Sequence, residues 1–452
     1  MREIKQSATK FIQLLIIAYA FVSVIYTAKY FYGSYQQHPT AKSIRSEDGV
    51  NHAQQHYIQL ENKGNNEIIT QAYATDEEEE EEQQQQQQQE EEEKRSSVVR
   101  WHGESVPIMT ESFVMSKLFS DAMQPSDLKA YYYKASEVIH DQDITMATLV
   151  TKDRFPVLSR LASNYQGPIS VAIHVNDDEE KDQTLQELKH VYESNPDMQR
   201  YVDIHLVIDK FDRQFNLWRN VAKFFARTDY IMMLDVDFHI CTNLKSLRHH
   251  PQQLKEWIGD GKRALVVPAF EYVVQADGID YKTFPTTKDD LLDQVKEGKI
   301  DMFHKSWLKG HGATDYQHWY ETNSSYSVTE YDYSYEPYII YKKEGTPWCD
   351  ERFIGYGANK AACLFEIYLS GIEYMVVPND FLIHQTHKYP ENTRRKERQY
   401  NRKLYGNFRE ELCLRYARMF MANGEWDTSR ADNLKTECAK NRGYRIAMKS
   451  IL

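Results

Sequence analysis

Short apolar segments suited to β-strands alternate with amphipathic segments suited to α-helices from residue 144 onward. The strand-like segments are Ile144–Val150, Ile169–Val175, Val202–Ile208, Tyr230–Leu234, Ala264–Pro268 and Glu373–Pro378. The helix-like segments are Thr184–Tyr192, Leu217–Ala226 and a basic stretch that begins after Pro390 and continues through Glu410–Met421. Strands that alternate with helices along a chain predict an α/β fold with a largely parallel sheet.

A charge-free apolar segment lies close to the N-terminus. Residues 11–28 read FIQLLIIAYAFVSVIYTA and are extended by aromatic residues up to Tyr32, which is long enough to cross a bilayer as a helix. The basic residues Arg2, Lys5 and Lys10 precede it, so the positive-inside rule predicts a cytosolic N-terminus. A cleaved signal peptide usually has a shorter apolar region and a small-residue cleavage site. We therefore predict a cytosolic tail (1–10) and a signal-anchor (11–32) in a single-pass, type II membrane protein.

The next stretch, residues 33–99, is polar and contains consecutive runs of glutamate, glutamine and glutamate between residues 77 and 93. Such a stretch has too little apolar surface to bury, which predicts a disordered stem. Its acids could bind cations or a basic partner, but a spacer is the simpler interpretation. The eleven acids of residues 76–93 account for nearly all of the net charge of −12. The nearly neutral remainder argues against a nucleic-acid-binding protein, and residues 100–452 are predicted to form a lumenal domain.

Two acids, Asp235 and Asp237, directly follow the apolar segment that ends at Leu234. In an extended strand, side chains two residues apart point the same way. Both carboxylates would then meet beyond the carboxyl end of the strand, where open α/β sheets bind ligands. Carboxylate oxygens suit Mg²⁺ or Mn²⁺. The pair therefore predicts a divalent-metal site, although many such pairs are only solvated turn residues.

The region around these acids, QFNLWRNVAKFFARTDYIMMLDVDF (Gln214–Phe238), resembles glycosyltransferase family 49, which includes the LARGE-type enzymes and β-1,4-glucuronyltransferase. The similarity continues in order through RALVVPAFE (Arg263–Glu271), TFPTTKDDLL (Thr283–Leu292), WLKGHGAT (Trp307–Thr314), YEPYIIYKK (Tyr335–Lys343), DERFIGYGANK (Asp350–Lys360) and VVPNDFLIHQTH (Val376–His387). It covers residues 144–390, and several motifs in one order are far more specific than any single motif. The chain departs from the family pattern at Ala358 and at residues 388–390.

The resemblance implies a GT-A fold, a Rossmann-like domain that binds a nucleotide sugar. It also implies inverting transfer of a sugar, glucuronic acid or xylose, from a UDP-sugar to a glycan or glycoprotein acceptor with Mn²⁺ (or Mg²⁺) as cofactor. With the signal-anchor, it predicts a Golgi membrane protein with a lumenal catalytic domain, compatible with homo-oligomers. Two alternatives stay open: an inactive carbohydrate-binding or scaffolding protein of the same fold, and another metal-dependent enzyme such as a phosphodiesterase.

The resemblance also suggests roles for individual residues. For the metal we predict Asp235, Asp237 and a third ligand, His384 rather than His387. As general base we predict Asp350 and then Glu351, and a surface acid or a helix N-cap is the alternative. The residues expected to bind the donor, or to line the adjoining pocket, are Arg219, Asn220, Asp235, Lys309, His311, Asn359 and Lys360. The aromatic residues Trp307, Trp319 and Tyr320 either offer flat faces to sugar rings or belong to the core.

The five cysteines fit an oxidising lumen, and their spacing matches no metal cluster. Because the number is odd, at least one is free or paired between chains. The pairing itself does not follow from the sequence. Asn323-Ser324-Ser325 is the one glycosylation sequon we identify, which suits a surface loop.

Overall fold

The structure is a computed structural model that describes residues 127–211, 213–387 and 394–449. The predicted tail (1–10), signal-anchor (11–32) and stem (33–99) lie outside the described residues. Among the helices inside the described ranges, none combines the length and the apolar character that a membrane crossing requires.

Thirteen strands form two sheets within the described residues. In chain order they are β1 Asp127–Tyr133, β2 Ile144–Val150, β3 Ile169–Asn176, β4 Val202–Asp209, β5 Tyr230–Met233, β6 Phe238–Ile240, β7 Arg263–Val267, β8 Ala269–Tyr272, β9 Ile300–Met302, β10 Tyr326–Ser327, β11 Tyr338–Lys342, β12 Glu373–Val376 and β13 Leu382–His384. The large sheet has the order β1-β4-β3-β2-β5-β11-β7-β12-β10, and the small sheet has the order β6-β13-β8-β9.

The large sheet is mixed: six of its nine strands run in one direction, in line with the expectation of a largely parallel sheet, and β1, β10 and β11 run the opposite way. Strands β4, β3, β2 and β5 run parallel, as do β7 and β12. Strand β11 lies between β5 and β7 and is antiparallel to both, and the edge strands β1 and β10 are antiparallel to their neighbours. A fully buried strand has the same continuous apolar sequence in either direction, so strand direction was not readable from composition. The α/β prediction itself is confirmed.

The helices are α1 Phe155–Tyr165, α2 Lys181–Ser194, α3 Pro196–Tyr201, α4 Phe215–Phe225, α5 Lys245–Arg248, α6 Pro251–Ile258, α7 Lys288–Lys296, α8 Leu308–His311, α9 Tyr316–Glu321, α10 Asn359–Leu369, α11 Arg394–Ala422, α12 Asp432–Cys438 and α13 Arg442–Met448. Every residue of α10 is buried, because this helix packs among α4, α11 and α12. A helix buried on all sides carries no polar face. Its N-terminus, at Asn359, lies at the site described below.

The small sheet positions two of the quoted motifs beside each other. Strand β6 begins directly after Asp237, and β13 pairs with it so that His384 lies opposite Phe238. The backbone N–H of Gln385 also donates to the carbonyl of Asp237 at 2.8 Å. The two acids and the two histidines of IHQTH therefore belong to one edge of the fold.

Two disulfides cross-link the described chain. Cys349 bonds to Cys363 and Cys413 bonds to Cys438. Cys241 is a buried free thiol, which agrees with the expectation that at least one cysteine lacks an intrachain partner.

Candidate active site

The carboxylate of Asp235, just beyond the carboxyl end of β5, is held by three side chains. It accepts a hydrogen bond from the Tyr338 hydroxyl at 2.8 Å and lies 3.1 Å from the ammonium of Lys360. The guanidinium of Arg219 lies 3.4 Å from its other oxygen. Burial alone would raise the pKa of this carboxyl, but the charges of Lys360 and Arg219 and the Tyr338 hydrogen bond hold it well below the ordinary value. Asp235 is therefore an anion, and its side chain is still 38% exposed.

Asp237 has a separate set of partners. The Nε of Arg154 lies 2.9 Å from its Oδ1, and Nε2 of His387 lies 3.2 Å from its Oδ2. Burial opposes ionisation, yet the hydrogen bond from His387 and the charge of Arg154 lower the pKa of the Asp237 carboxyl. Because β5 ends at Met233 and a turn follows, the extended geometry assumed for both acids does not continue through Asp237. The two carboxylates are consequently held by different cations.

His384 is buried in β13, and its ring centre lies 5.1 Å from that of Phe238 and 5.4 Å from that of His387. Burial lowers its pKa to about 4, against a smaller opposing effect of Asp237. A neutral imidazole with an available nitrogen lone pair can ligate a metal. The sequence argument preferred His384 to His387, and the structure shows the direct contact to Asp237 from His387.

The chemistry of these donors fits a divalent cation. Two carboxylates and two imidazoles are ligands that Mn²⁺ accepts. Across the described ranges, however, no three histidine, cysteine, aspartate or glutamate side chains converge as a ready-made metal centre. Arg154 and His387 engage both oxygens of Asp237, so a metal at Asp237 would compete with these contacts.

The two adjacent residues Arg219 and Asn220 of α4 make different contacts. The guanidinium of Arg219 donates to Asn359 Oδ1 at 2.7 Å and reaches Asp235, so it joins α4, α10 and the end of β5. Asn220 donates to the carbonyl of Cys349 and accepts from its N–H, each at 2.9 Å. Asn220 therefore fixes the start of the glycine-containing loop.

Lys360 and His311 line the same buried region, whereas Lys309 is more remote. The ammonium of Lys360 lies 3.3 Å from the ring centre of Tyr338. The His311 ring is parallel to that of Tyr338 at 6.4 Å, and burial, followed by the charge of Lys360, lowers its pKa well below the ordinary value. Lys309 is exposed, and its ammonium lies 6.0 Å from the ring centre of Tyr333.

The two acids predicted as general bases are engaged by other groups. Both oxygens of Asp350 accept from the guanidinium of Arg352 at 2.7–3.0 Å, and Arg352 also bonds to Glu411. Glu351 accepts from Asn220 at 2.8 Å, and burial raises its pKa. The helix after them begins at Asn359 with Ala358 as its N-cap residue, so neither acid is that cap.

Three residues of this region were not identified from the sequence. Tyr338 and Glu336 belong to the quoted YEPYIIYKK segment, and Arg154 follows β2. Burial raises the pKa of the Glu336 carboxyl, while the nearby charge of Lys360 partly opposes this effect. Because the carboxyl ends of parallel strands meet at one edge, the position of Arg154 beyond β2 was the signal that could have revealed it.

The aromatic residues proposed for sugar binding separate clearly. Trp319 is fully buried and donates its indole N–H to the carbonyl of Val377 at 2.8 Å, so of the two alternatives it belongs to the core. Trp307 is 44% exposed, and Tyr320 is half-buried. Only the last two present surface to a ligand.

Comparison with known proteins agrees with the family resemblance of the quoted motifs. A family model described as "Glycosyl-transferase for dystroglycan" matches residues 143–215 and 209–417. The xylosyl- and glucuronyltransferase LARGE1 of Danio rerio is 32% identical over 297 residues, which is 63% of this chain and 37% of that protein. LARGE2 of Mus musculus is 35% identical over 251 residues, 54% of this chain and 34% of that protein. The chain thus spans about a third of the length of these relatives.

Proposed function

Since the chain belongs to the family of glycosyltransferases described for dystroglycan, we propose that it transfers a sugar from a UDP-sugar to a glycan or glycoprotein acceptor, with inversion at the anomeric carbon. Glucuronic acid and xylose are the proposed sugars, because the two relatives above are named for both. The proposed domain has the GT-A fold. The observation that carries the proposal is the arrangement of Asp235 and Asp237 with Lys360, Arg219 and Arg154 at one edge of the sheet.

We propose that the UDP-sugar binds next to the cations Lys360 and Arg154 at this edge of the sheet. Lys360 and Arg154 bear positive charge next to the carboxylates, and guanidinium and ammonium groups bind phosphate oxygens well. Asp235, Asp237 and a histidine of IHQTH would hold Mn²⁺, which supplies charge stabilisation to the leaving diphosphate when it is bound. Arg219 and Tyr338 keep Asp235 ionised and oriented for this task.

Inversion requires a base that accepts the proton of the acceptor hydroxyl. Asp350 is neutralised by the bidentate contact with Arg352. Glu336 lies near Lys360 and Asp235, and its raised pKa brings it closer to the operating pH of a general base. We therefore propose Glu336 beside the sequence-based candidates Asp350 and Glu351.

The experiment is donor hydrolysis and UDP binding by the full chain, with a panel of UDP-sugars, in Mn²⁺ or EDTA, beside Asp237→Ala. UDP release from one donor that requires Mn²⁺ and disappears in the variant would establish a transferase and identify its sugar. If no donor is hydrolysed and UDP does not bind with Mn²⁺, the protein is a carbohydrate-binding protein of the same fold. If the Asp237→Asn variant, which has no carboxylate at this position, hydrolysed the donor as fast as the wild type, the metal role of this carboxylate would be contradicted.

For the cellular setting we propose a type II protein of the Golgi membrane with a lumenal catalytic domain. The support is the charge-free segment 11–28 behind three basic residues. Protease protection in sealed Golgi vesicles tests this topology: digestion of the domain without detergent would contradict it.

A further inference from the structure

Arg154 connects three groups at the edge of the site. It follows β2, and its guanidinium donates to Asp153 at 2.8 Å, to Asp237 through Nε at 2.9 Å and to Nδ1 of His387 at 2.8 Å. Two of these partners, Asp237 and His387, are candidate ligands for the proposed metal. Arg154 thus occupies positions where a divalent cation would bring its own positive charge.

The contact to His387 also determines where the imidazole proton lies. Arginine only donates hydrogen bonds, so Nδ1 of His387 must accept, and the single proton of the neutral ring is on Nε2. That N–H points to Oδ2 of Asp237 at 3.2 Å. With Nε2 protonated, this nitrogen has no lone pair for a metal. Arg154 therefore competes with a cation for Asp237, and it keeps His387 in a tautomer whose Nε2 cannot ligate.

We propose that Arg154 is a positioning residue that acts as a stand-in cation, holding Asp237 and His387 together in the metal-free protein and leaving Asp237 when a divalent cation binds. This inference rests on the proposed function, since it presupposes the metal. Once Arg154 leaves, the ring proton of His387 can move to Nδ1, which frees Nε2. One positive charge leaves the carboxylate as the metal arrives.

The released guanidinium has a suitable second partner in the donor. Planar guanidinium groups form bidentate contacts with phosphate oxygens, and the diphosphate of a nucleotide sugar would lie beside the same carboxylates. Arg154 thus opposes metal binding in the absence of nucleotide and supports nucleotide binding in the presence of metal. An arginine with a purely structural role would support both.

The test measures Mn²⁺ affinity of the full chain by electron paramagnetic resonance of unbound Mn²⁺, and UDP affinity by calorimetry. Arg154→Gln removes the charge but keeps a hydrogen-bond donor. We expect it to bind Mn²⁺ about tenfold more tightly without nucleotide and UDP about tenfold more weakly at saturating Mn²⁺, as loss of one charge-assisted hydrogen bond predicts. Arg154→Lys, which retains the charge, should resemble the wild type in Mn²⁺ affinity.

The matched control is Arg160→Gln, because Arg160 donates to Gln385 at 3.2 Å on the same rim; it should change neither affinity. Unchanged or weaker Mn²⁺ binding by Arg154→Gln would overturn the inference and leave the proposed function intact. If the wild-type chain binds no Mn²⁺ with or without UDP, the inference on Arg154 and the proposed function are both wrong. Equal losses of Mn²⁺ and UDP affinity would make Arg154 a structural residue.

Discussion

The ammonium of Lys360 lies 3.1 Å from Oδ2 of Asp235, although the lysine side chain is only 7% exposed. Burial lowers the pKa of this ammonium, and the charge of Asp235 partly restores it. The carboxylate also contacts Arg219 and Tyr338. Three side chains therefore stabilise the ionised form of Asp235, whereas the charged form of Lys360 is stabilised chiefly by Asp235.

We expect Lys360→Met to fold normally and to bind UDP-sugar at least about tenfold more weakly, since one charge-assisted contact of the pocket is lost. Removing a buried cation relieves its own desolvation, and Arg219 still compensates Asp235. Thermal unfolding and donor titration measure the two effects. The control is Lys342→Met, because the one hydrogen bond described for the Lys342 ammonium goes to the carbonyl of Gly259. Unchanged donor affinity in Lys360→Met would assign this lysine to folding alone.

Replacement of the candidate bases distinguishes them. Glu336→Gln should lower the transfer rate by about 10²-fold or more, the usual range for loss of a general base, with donor binding retained. Asp350→Asn should mainly reduce stability, because it leaves Arg352 with fewer acceptors. Transfer kinetics and denaturant unfolding of both variants show which acid acts as the general base. The opposite pattern would return the role to Asp350.

The buried Lys223 predicts a pH dependence of stability. Its ammonium donates to the carbonyls of Thr346 and Pro347, and burial lowers its pKa to about 7. Above pH 7 the Lys223 amine is protonated in the unfolded chain but not in the folded protein. The free energy of unfolding therefore rises with pH, by at most about 1.4 kcal/mol per pH unit. The rise ends near the pKa of this lysine in the unfolded chain. Below pH 7 both states are protonated, and this lysine contributes no slope.

Urea unfolding of the wild type and Lys223→Met between pH 6 and 10 measures this difference. The two curves should diverge in slope above pH 7 and run parallel below it. Parallel curves over the whole range would contradict the assignment.

The two disulfides should affect different properties. Cys349–Cys363 closes a segment with a sequence separation of 14 that contains Asp350 and the glycine turn. Its removal by paired alanine substitutions should lower stability by about 3 kcal/mol and also lower activity per folded molecule. Removal of Cys413–Cys438 should lower stability without that activity loss. Calorimetry with a transfer assay tests the contrast, and equal activity losses would rule it out.

The tryptophans offer a similar contrast. Trp307→Ala should leave the unfolding temperature within a few degrees and raise the KM for acceptor, since an exposed ring is lost. Trp319→Ala removes a fully buried ring and should destabilise by about 3–5 kcal/mol. Unchanged acceptor KM in Trp307→Ala would exclude this ring from the acceptor site.

The sequence predicted most of the fold because its central strands are continuous apolar runs. The expected strand Ile144–Val150 is reproduced residue for residue. Helix α10 was expected only through its start near Asn359, which the structure confirms, and its extent was not predicted, because a helix buried on every side lacks the 3.6-residue periodicity that reveals amphipathic helices. The basic, helix-like stretch predicted after Pro390 is confirmed as α11.

The site was less predictable, because its members come from distant segments. Tyr338 and Lys360 lie 103 and 125 residues from Asp235, and no local spacing relates them. Family resemblance suggested Lys360, and nothing suggested the Tyr338 contact. The turn after Met233 also separates the partners of Asp235 and Asp237, which an extended-strand argument cannot anticipate.

The position of β11 has a consequence for biosynthesis. It inserts between β5 and β7, although both of those strands precede it in the chain. During vectorial synthesis, the facing edges of β5 and β7 remain unpaired until residue 342 has emerged, and Cys349 follows only seven positions later. Non-local strand pairing of this kind folds late and leaves edges open to misassembly. The emerging chain is therefore expected to depend on chaperones until β11 has paired with β5 and β7, with Cys349–Cys363 oxidation as a measurable marker of that event.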